Sequence, residues 1–101
     1  MKLRVFTNEY EVSEELYSYI ESKTRLMLGR YESRIDKIEL HLMPPQLNQD
    51  ATNQYVCKIH TLLAGMSSVE VQEMESNLLT AIDNGIHRTK RGVERLFRLS
   101  S

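Results

Sequence analysis

Between residues 76 and 99 the chain SNLLTAIDNGIHRTKRGVERLFRL sets its apolar residues on one side of a helix. At 100° per residue, Leu78, Leu79, Ile82, Ile86, Val93, Leu96 and Phe97 fall within about 50° of a common line. Thr89 and the small Gly85 lie among or beside them. His87, Arg88, Arg91, Arg95 and Arg98 collect opposite, with Lys90 and Glu94 at the edges. The pattern predicts a helix capped by Ser76, with one face for a core and one for an anion. Gly92 interrupts it at a cost of about 1 kcal/mol relative to alanine.

The rest of the chain supplies elements for that core face. Lys2 to Phe6 alternates partly and is rich in strand formers, so it predicts a first strand. Asn8 to Val12 reads as a connection. Ser13 is then a suitable N-cap, with Glu14 and Glu15 in the first turn, where carboxylates favour a helix N-terminus. This helix is predicted to run to about Gly29–Tyr31, with Leu16, Ile20, Met27 and Tyr31 as its stripe and Thr24 as an interruption. Lys23 and Arg30 lie on one shoulder, joined by Arg34 if the last turn continues that far.

From Ile35 the period drops to two: Ile38, Leu40 and Leu42 alternate with Lys37, Glu39 and His41. Pro44-Pro45 is expected to end this strand, since proline cannot donate to a ladder. Gln46 to Asn53 reads as polar loop. Tyr55 to Leu63 predicts a third strand, Ala64 to Ser67 a turn, and Ser68 to Met74 a short fourth strand paired antiparallel to the third. The order β-α-β-β-β-α implies a two-layer α+β sandwich over residues 1–101 as one domain. In it a four-stranded sheet carries two amphipathic helices side by side on one face. Their outward basic sides can then merge into one patch.

Composition narrows the class. With 41% hydrophobic and 27% charged residues the chain reads as a globular domain, and its single Cys57 rules out an internal disulfide. No apolar run approaches a membrane span and no signal-peptide pattern opens the chain, so a cytoplasmic protein without membrane contact is the expectation. The formal net charge of −1 conceals a segregation. Residues 23–34 hold four basic groups against one acidic, a net of +3, and residues 85–101 hold five against one, a net of +4. The macrodipole gathers cations at helix ends, and both blocks lie near such ends. They also make a local anion-binding surface on an acidic chain.

Chemistry of other kinds is poorly represented. His41, His60 and His87 are far apart, and although His41 and His60 can approach across neighbouring strands, no cysteine or carboxylate spacing completes a metal set. Cys57 alternates inward with Ile59 and reads as a core residue. Asp83 is expected in a salt bridge at the helix edge. There is no nucleophile elbow, P-loop or GxGxxG. No enzyme, cofactor, metal or small-molecule substrate is expected. What remains is Arg88, Arg91, Arg95 and Arg98, spaced 3, 4 and 3 apart as one row of planar donors suited to phosphate oxygens. Such a row reads backbone geometry, with affinity that falls as salt rises.

Several strings carry a resemblance. Val12-Ser13-Glu14-Glu15-Leu16 is similar to ITEAL. Leu28-Gly29-Arg30-Tyr31 with Arg34-Ile35 is similar to LEKYFDRI. Ala81-Ile82-Asp83 precedes alternating hydrophobic and basic positions. From about residue 2 to 98 the chain resembles the ribosome hibernation-promoting factor family in its short form. Leu79 and Thr80 stand where that family usually has a tyrosine, and no second, ribosome-pairing domain follows within the 101 residues. The resemblance implies a cytoplasmic, stress-related translation regulator bound to the small ribosomal subunit through rRNA phosphates. Arg88, Arg91 and Arg95 match basic family positions, Arg30 and Lys23 follow in helix 1, and Arg98 extends the row on the helical wheel. The rival reading is a protein-interaction module of the same fold that no longer binds ribosomes. Self-association stays open.

Overall fold

The computed structural model of the chain describes residues 1–7, 12–47, 53–65 and 67–100; within them the side chains of 44–47, 53, 99 and 100 are left aside. Strand β1 (Lys2–Thr7) leads to helix α1 (Glu14–Leu28) and a 3-10 helix, η1 (Gly29–Arg34). Strands β2 (Ile35–Leu47), β3 (Asn53–Leu63) and β4 (Ser68–Glu75) follow, and helix α2 (Leu78–Ser100) comes last. The sheet order is β1-β2-β3-β4, with β1 parallel to β2 and the other neighbours antiparallel. The expected β-α-β-β-β-α sandwich is the architecture found.

Alternation decides which residues reach the core. Ile38, Leu40 and Leu42 of β2 and Cys57, Ile59, Thr61 and Leu63 of β3 are buried, and they meet Ile20 and Leu28 of α1 and Ala81, Ile82, Ile86 and Val93 of α2. The α1 stripe centres on Ile20, Thr24 and Leu28, with Leu16, Met27 and Tyr31 half-buried beside it. Packing therefore draws the apparent interruption, Thr24, to the middle of the face. The buried hydroxyls of Thr24 and Thr61 have no hydrogen-bond partner among the described residues.

Several boundaries differ from the expectation for local reasons. Ser13 caps α1 as expected, its Oγ accepting from the Leu16 N–H at 3.0 Å. Asn77, not Ser76, caps α2: its Oδ1 accepts from the Thr80 N–H at 3.2 Å and its carbonyl from the Ala81 N–H at 3.1 Å. Strand β2 does not stop at Pro44-Pro45 but runs to Leu47. Its pairing skips from Met43↔Val56 to Gln46↔Gln54, so both prolines fall in a register irregularity where no ladder donor is needed. Gln46, Leu47 and Asn53, expected in a loop, are strand residues; residues 48–52 of that loop and 8–11 of the first connection lie outside the described residues. The β3–β4 turn carries Gly65 at φ +70°, a backbone position that favours glycine.

The two helices run parallel. Tyr19 meets Asp83 near their beginnings and Tyr31 meets Phe97 near their ends. Helix α2 lies low on the sheet because two glycines face it. A Cβ at Gly85 would come within 2.9 Å of Ile59 Cδ1, and one at Gly92 within 2.8 Å of Val69 Cγ1. Gly92, which costs helix propensity, is the condition for close seating on β4.

Two expectations follow. Gly92→Ala gains about 1 kcal/mol in propensity but presses on a stiff β-branched neighbour, and overpacking costs about 1–3 kcal/mol. Urea denaturation should show net destabilisation, and adding Val69→Ala should recover stability relative to the sum of the single changes. Additive effects would refute the contact. The second concerns Cys57, fully buried and pushed up to about 12 by desolvation and by Glu73. The raised folded value favours the protonated, folded state below the unfolded thiol's titration near pH 9, and that contribution is lost as pH rises toward about 12. Stability should fall across this window, Cys57 adding at most about 1.4 kcal/mol per pH unit. At mildly alkaline pH, thiol labelling should track unfolding; fast labelling of native protein would contradict the burial.

Candidate nucleic-acid interface

Helix α2 runs antiparallel to the edge strand β4, and three successive contacts fix their register. Asn84 Nδ2 donates to Glu75 Oε1 at 3.1 Å. One turn on, Arg88 Nη1 donates to Glu73 Oε1 at 2.7 Å and to the Gln72 carbonyl at 3.1 Å. One turn further, Gly92 rests on Val69. This seating leaves a groove lined by Arg88, Arg91 and Arg95 above and by Val69, Glu70 and Val71 below.

The arginines of the row are thus unequal. Arg88 is bound to a mostly buried carboxylate, the Glu73 side chain being 16% exposed. Its second bond occupies a carbonyl on β4, an edge strand whose unpaired backbone groups otherwise invite another strand. Arg91 and Arg95 are exposed and have no ion-pair or hydrogen-bond partner among the described residues. Arg98 is exposed but already engaged within the protein.

The cations of α1 lie on another flank. Lys23, half-buried, is one turn beyond Tyr19, whose hydroxyl donates to Asp83 Oδ1 at 2.6 Å, so Lys23 shares the side turned to α2. Arg30 sits in η1 with its guanidinium 5.5 Å from the Tyr31 ring centre. The arginine row thus faces β4, and the seam between the helices carries the Tyr19–Asp83 bond. Asp83 forms no salt bridge among the described residues, because the parallel helices bring a phenol to it. That bond, with desolvation, raises the Tyr19 pKa. The sequence also undervalued Arg34, whose guanidinium lies 4.0 Å from the centre of the Phe97 ring. Its place on the helix shoulder was the available signal; the 3-10 turn that delivers it was not legible.

The open sheet face holds His41 and His60, while His87 is exposed on α2. His60 pairs in register with Glu39 and Glu70 and lies 3.7 and 3.9 Å from their carboxylates, while His41 stacks on Phe6 with ring centres 4.7 Å apart. Among the described residues no group of three or more His, Cys, Asp or Glu side chains could hold a metal ion. None of the helices among the described residues is long and apolar enough to cross a membrane.

Comparison with solved structures finds the same fold elsewhere. The Protein Y N-terminal domain of Thermus thermophilus superposes with a TM-score of 0.75 at 23% identity, covering 95% of this chain and 99% of that one. The fold is shared. A ribosomal subunit interface protein from Coxiella burnetii gives a TM-score of 0.79 at 15% identity, covering 97% and 99%. No protein-family model matches the sequence, and no curated protein matches it significantly.

The inequality of the arginines has a measurable consequence. Arg88→Ala should lower stability by about 1 kcal/mol by stranding Glu73, whereas Arg91→Ala and Arg95→Ala should each stay within about 0.5 kcal/mol of the parent. Chemical denaturation that ranks all three alike would show that the Arg88 pair contributes nothing.

Proposed function

We propose that this chain is a cytoplasmic ribosome-associated translation inhibitor of the hibernation type, binding small-subunit rRNA through its basic helix faces. The observation that carries this reading is the pair Arg91–Arg95, one helical turn apart, exposed and unpartnered beside the paired Arg88. Both guanidinium groups can take phosphate oxygens without breaking an internal bond. Lys23 and Arg30 contribute from the α1 side and Arg98 from the end of the row. Arg88 acts mainly by holding α2 on β4. The likeness in fold to a ribosomal subunit interface protein and the sequence resemblance to the hibernation family support the same partner.

The mechanism is occupancy. A phosphate backbone laid along the α2 flank releases counterions, so affinity falls with salt, with a slope of about 0.7 to 0.9 per phosphate neutralised. Inhibition follows from filling a channel that other RNA must use, and it requires no cofactor, metal or bond making.

The test is co-sedimentation with small ribosomal subunits at two salt concentrations. Arg91→Glu with Arg95→Glu should abolish pelleting at moderate salt and flatten the salt dependence, while leaving the denaturation midpoint nearly unchanged. Failure of the wild type to pellet even at low salt refutes ribosome binding. Wild-type pelleting that the reversal does not alter refutes the assigned residues. A loss seen only with Glu39→Lys, on the open sheet face, would favour the protein-interaction module.

A further inference from the structure

The ends of α1 and α2 lie together because the helices are parallel, and there the chain builds a layered cluster. Arg34 lies 4.0 Å from the centre of the Phe97 ring, Phe97 and Tyr31 rings are 5.2 Å apart with a 38° tilt, and Arg30 lies 5.5 Å from the centre of Tyr31. Both rings are half-buried and both arginines exposed. Neither arginine has a carboxylate partner among the described residues; the nearby Glu32 is paired with Arg25 at 3.5 Å.

We infer that this corner is a stacking site for an unpaired RNA base, with the Arg34 guanidinium as its platform. The inference rests on the proposed RNA binding and names a second point of contact. A guanidinium has two faces, and Phe97 occupies one of Arg34's. A flat base on the other continues the series Tyr31, Phe97, Arg34 as planar groups in contact, an arrangement RNA-binding proteins use for splayed bases. The Phe97 contact also holds the arginine in place before binding, which reduces the ordering cost.

Electrostatics separates base from phosphate here. The C-terminal ends of both helices point to this corner and bring partial negative charge, which offsets part of the charge of Arg30 and Arg34 and makes a phosphate contact weaker here than in the groove. A base, neutral and polarisable, carries no such penalty and gains from the cationic plane. The groove on the β4 flank is different, since Arg91 and Arg95 lie before the last turn of α2. Arg95 and Phe97 sit on opposite flanks of one helix whose diameter with side chains is about 10–12 Å, so a short single strand can lay its backbone on the groove and turn a base onto Arg34.

The experiment compares binding of a short oligoadenylate with that of an oligomer of the same length bearing abasic sugars, by fluorescence anisotropy. The wild type should prefer the base-bearing oligomer by about tenfold. Arg34→Lys keeps the charge and loses the plane, so it should abolish the preference while leaving binding of the abasic oligomer unchanged. Arg34→Ala should do the same with a further uniform loss. Equal or absent binding of the two oligomers by the wild type, or a preference that survives Arg34→Lys, overturns the stacking site. Small-subunit pelleting of Arg34→Lys separates the two failures: if it remains salt-dependent and sensitive to Arg91 and Arg95 while no base preference exists, only the stacking site is wrong. Far-UV circular dichroism of the lysine variant should match the parent, because its contact with Phe97 is not needed to bury the core.

Discussion

The exposed flank of α2 depends on how close the helix can come to β3 and β4. Gly85 and Gly92 are seven residues apart, two turns on one flank, and each meets a β-branched side chain where a methyl group would not fit. Close approach lets Asn84 and Arg88 reach Glu75 and Glu73 on the edge strand. It also sets the height at which Arg91 and Arg95 stand over Val69 and Val71. A helix raised by one side chain would keep the same sequence of charges but lose the paired Arg88. The glycines therefore shape the surface, Gly85 from beneath it and Gly92 from the floor of the groove.

What the sequence made legible follows from what periodicity measures. A period of two placed Ile38, Leu40, Leu42, Cys57 and Ile59 on the inner sheet face, and a period of 3.6 placed Ile82, Ile86 and Val93 on the inner helix face; all are buried. Periodicity reports which face a residue occupies and is silent on which neighbour lies beside that face. The arginine row was found, yet its division into a locked Arg88 and open Arg91 and Arg95 needed the position of β4. The place of Asp83 at the helix edge predicts a salt bridge, and the element that meets it presents Tyr19. Pro44-Pro45 predicts a stop because proline cannot donate to a ladder. The strand met the rule with a register irregularity instead of ending.

Charge in this domain is organised by topology. The β1-α1-β2 crossover and the return of α2 antiparallel to β4 make the helices parallel, so two C-terminal dipole ends coincide. The basic blocks 23–34 and 85–101 oppose that partial negative charge, and part of their function is structural. The carboxylates of residues 35–84 mostly lie on the strands, where Glu39 and Glu70 flank His60 and Glu73 holds Arg88. A formal net charge of −1 is thus compatible with a local anion-binding surface, because Asp36, Glu39, Glu70, Glu73 and Glu75 lie on the strands and Glu73 and Glu32 are consumed by internal pairs.

This distribution bears on how an RNA contact can be selective without a large positive field. Long-range steering should be weak for a nearly neutral chain, so association cannot rely on charge attraction from a distance. In the proposed interface affinity comes from short-range geometry: two guanidinium groups a turn apart for adjacent phosphates, and an arginine held by Phe97 for a base. An interface of the proposed kind would discriminate against arbitrary polyanions, which satisfy the charge but cannot supply a flat group at the far end of the helix. Low net charge is then a condition of selectivity, since it removes the non-specific binding that a strongly basic domain would have to overcome.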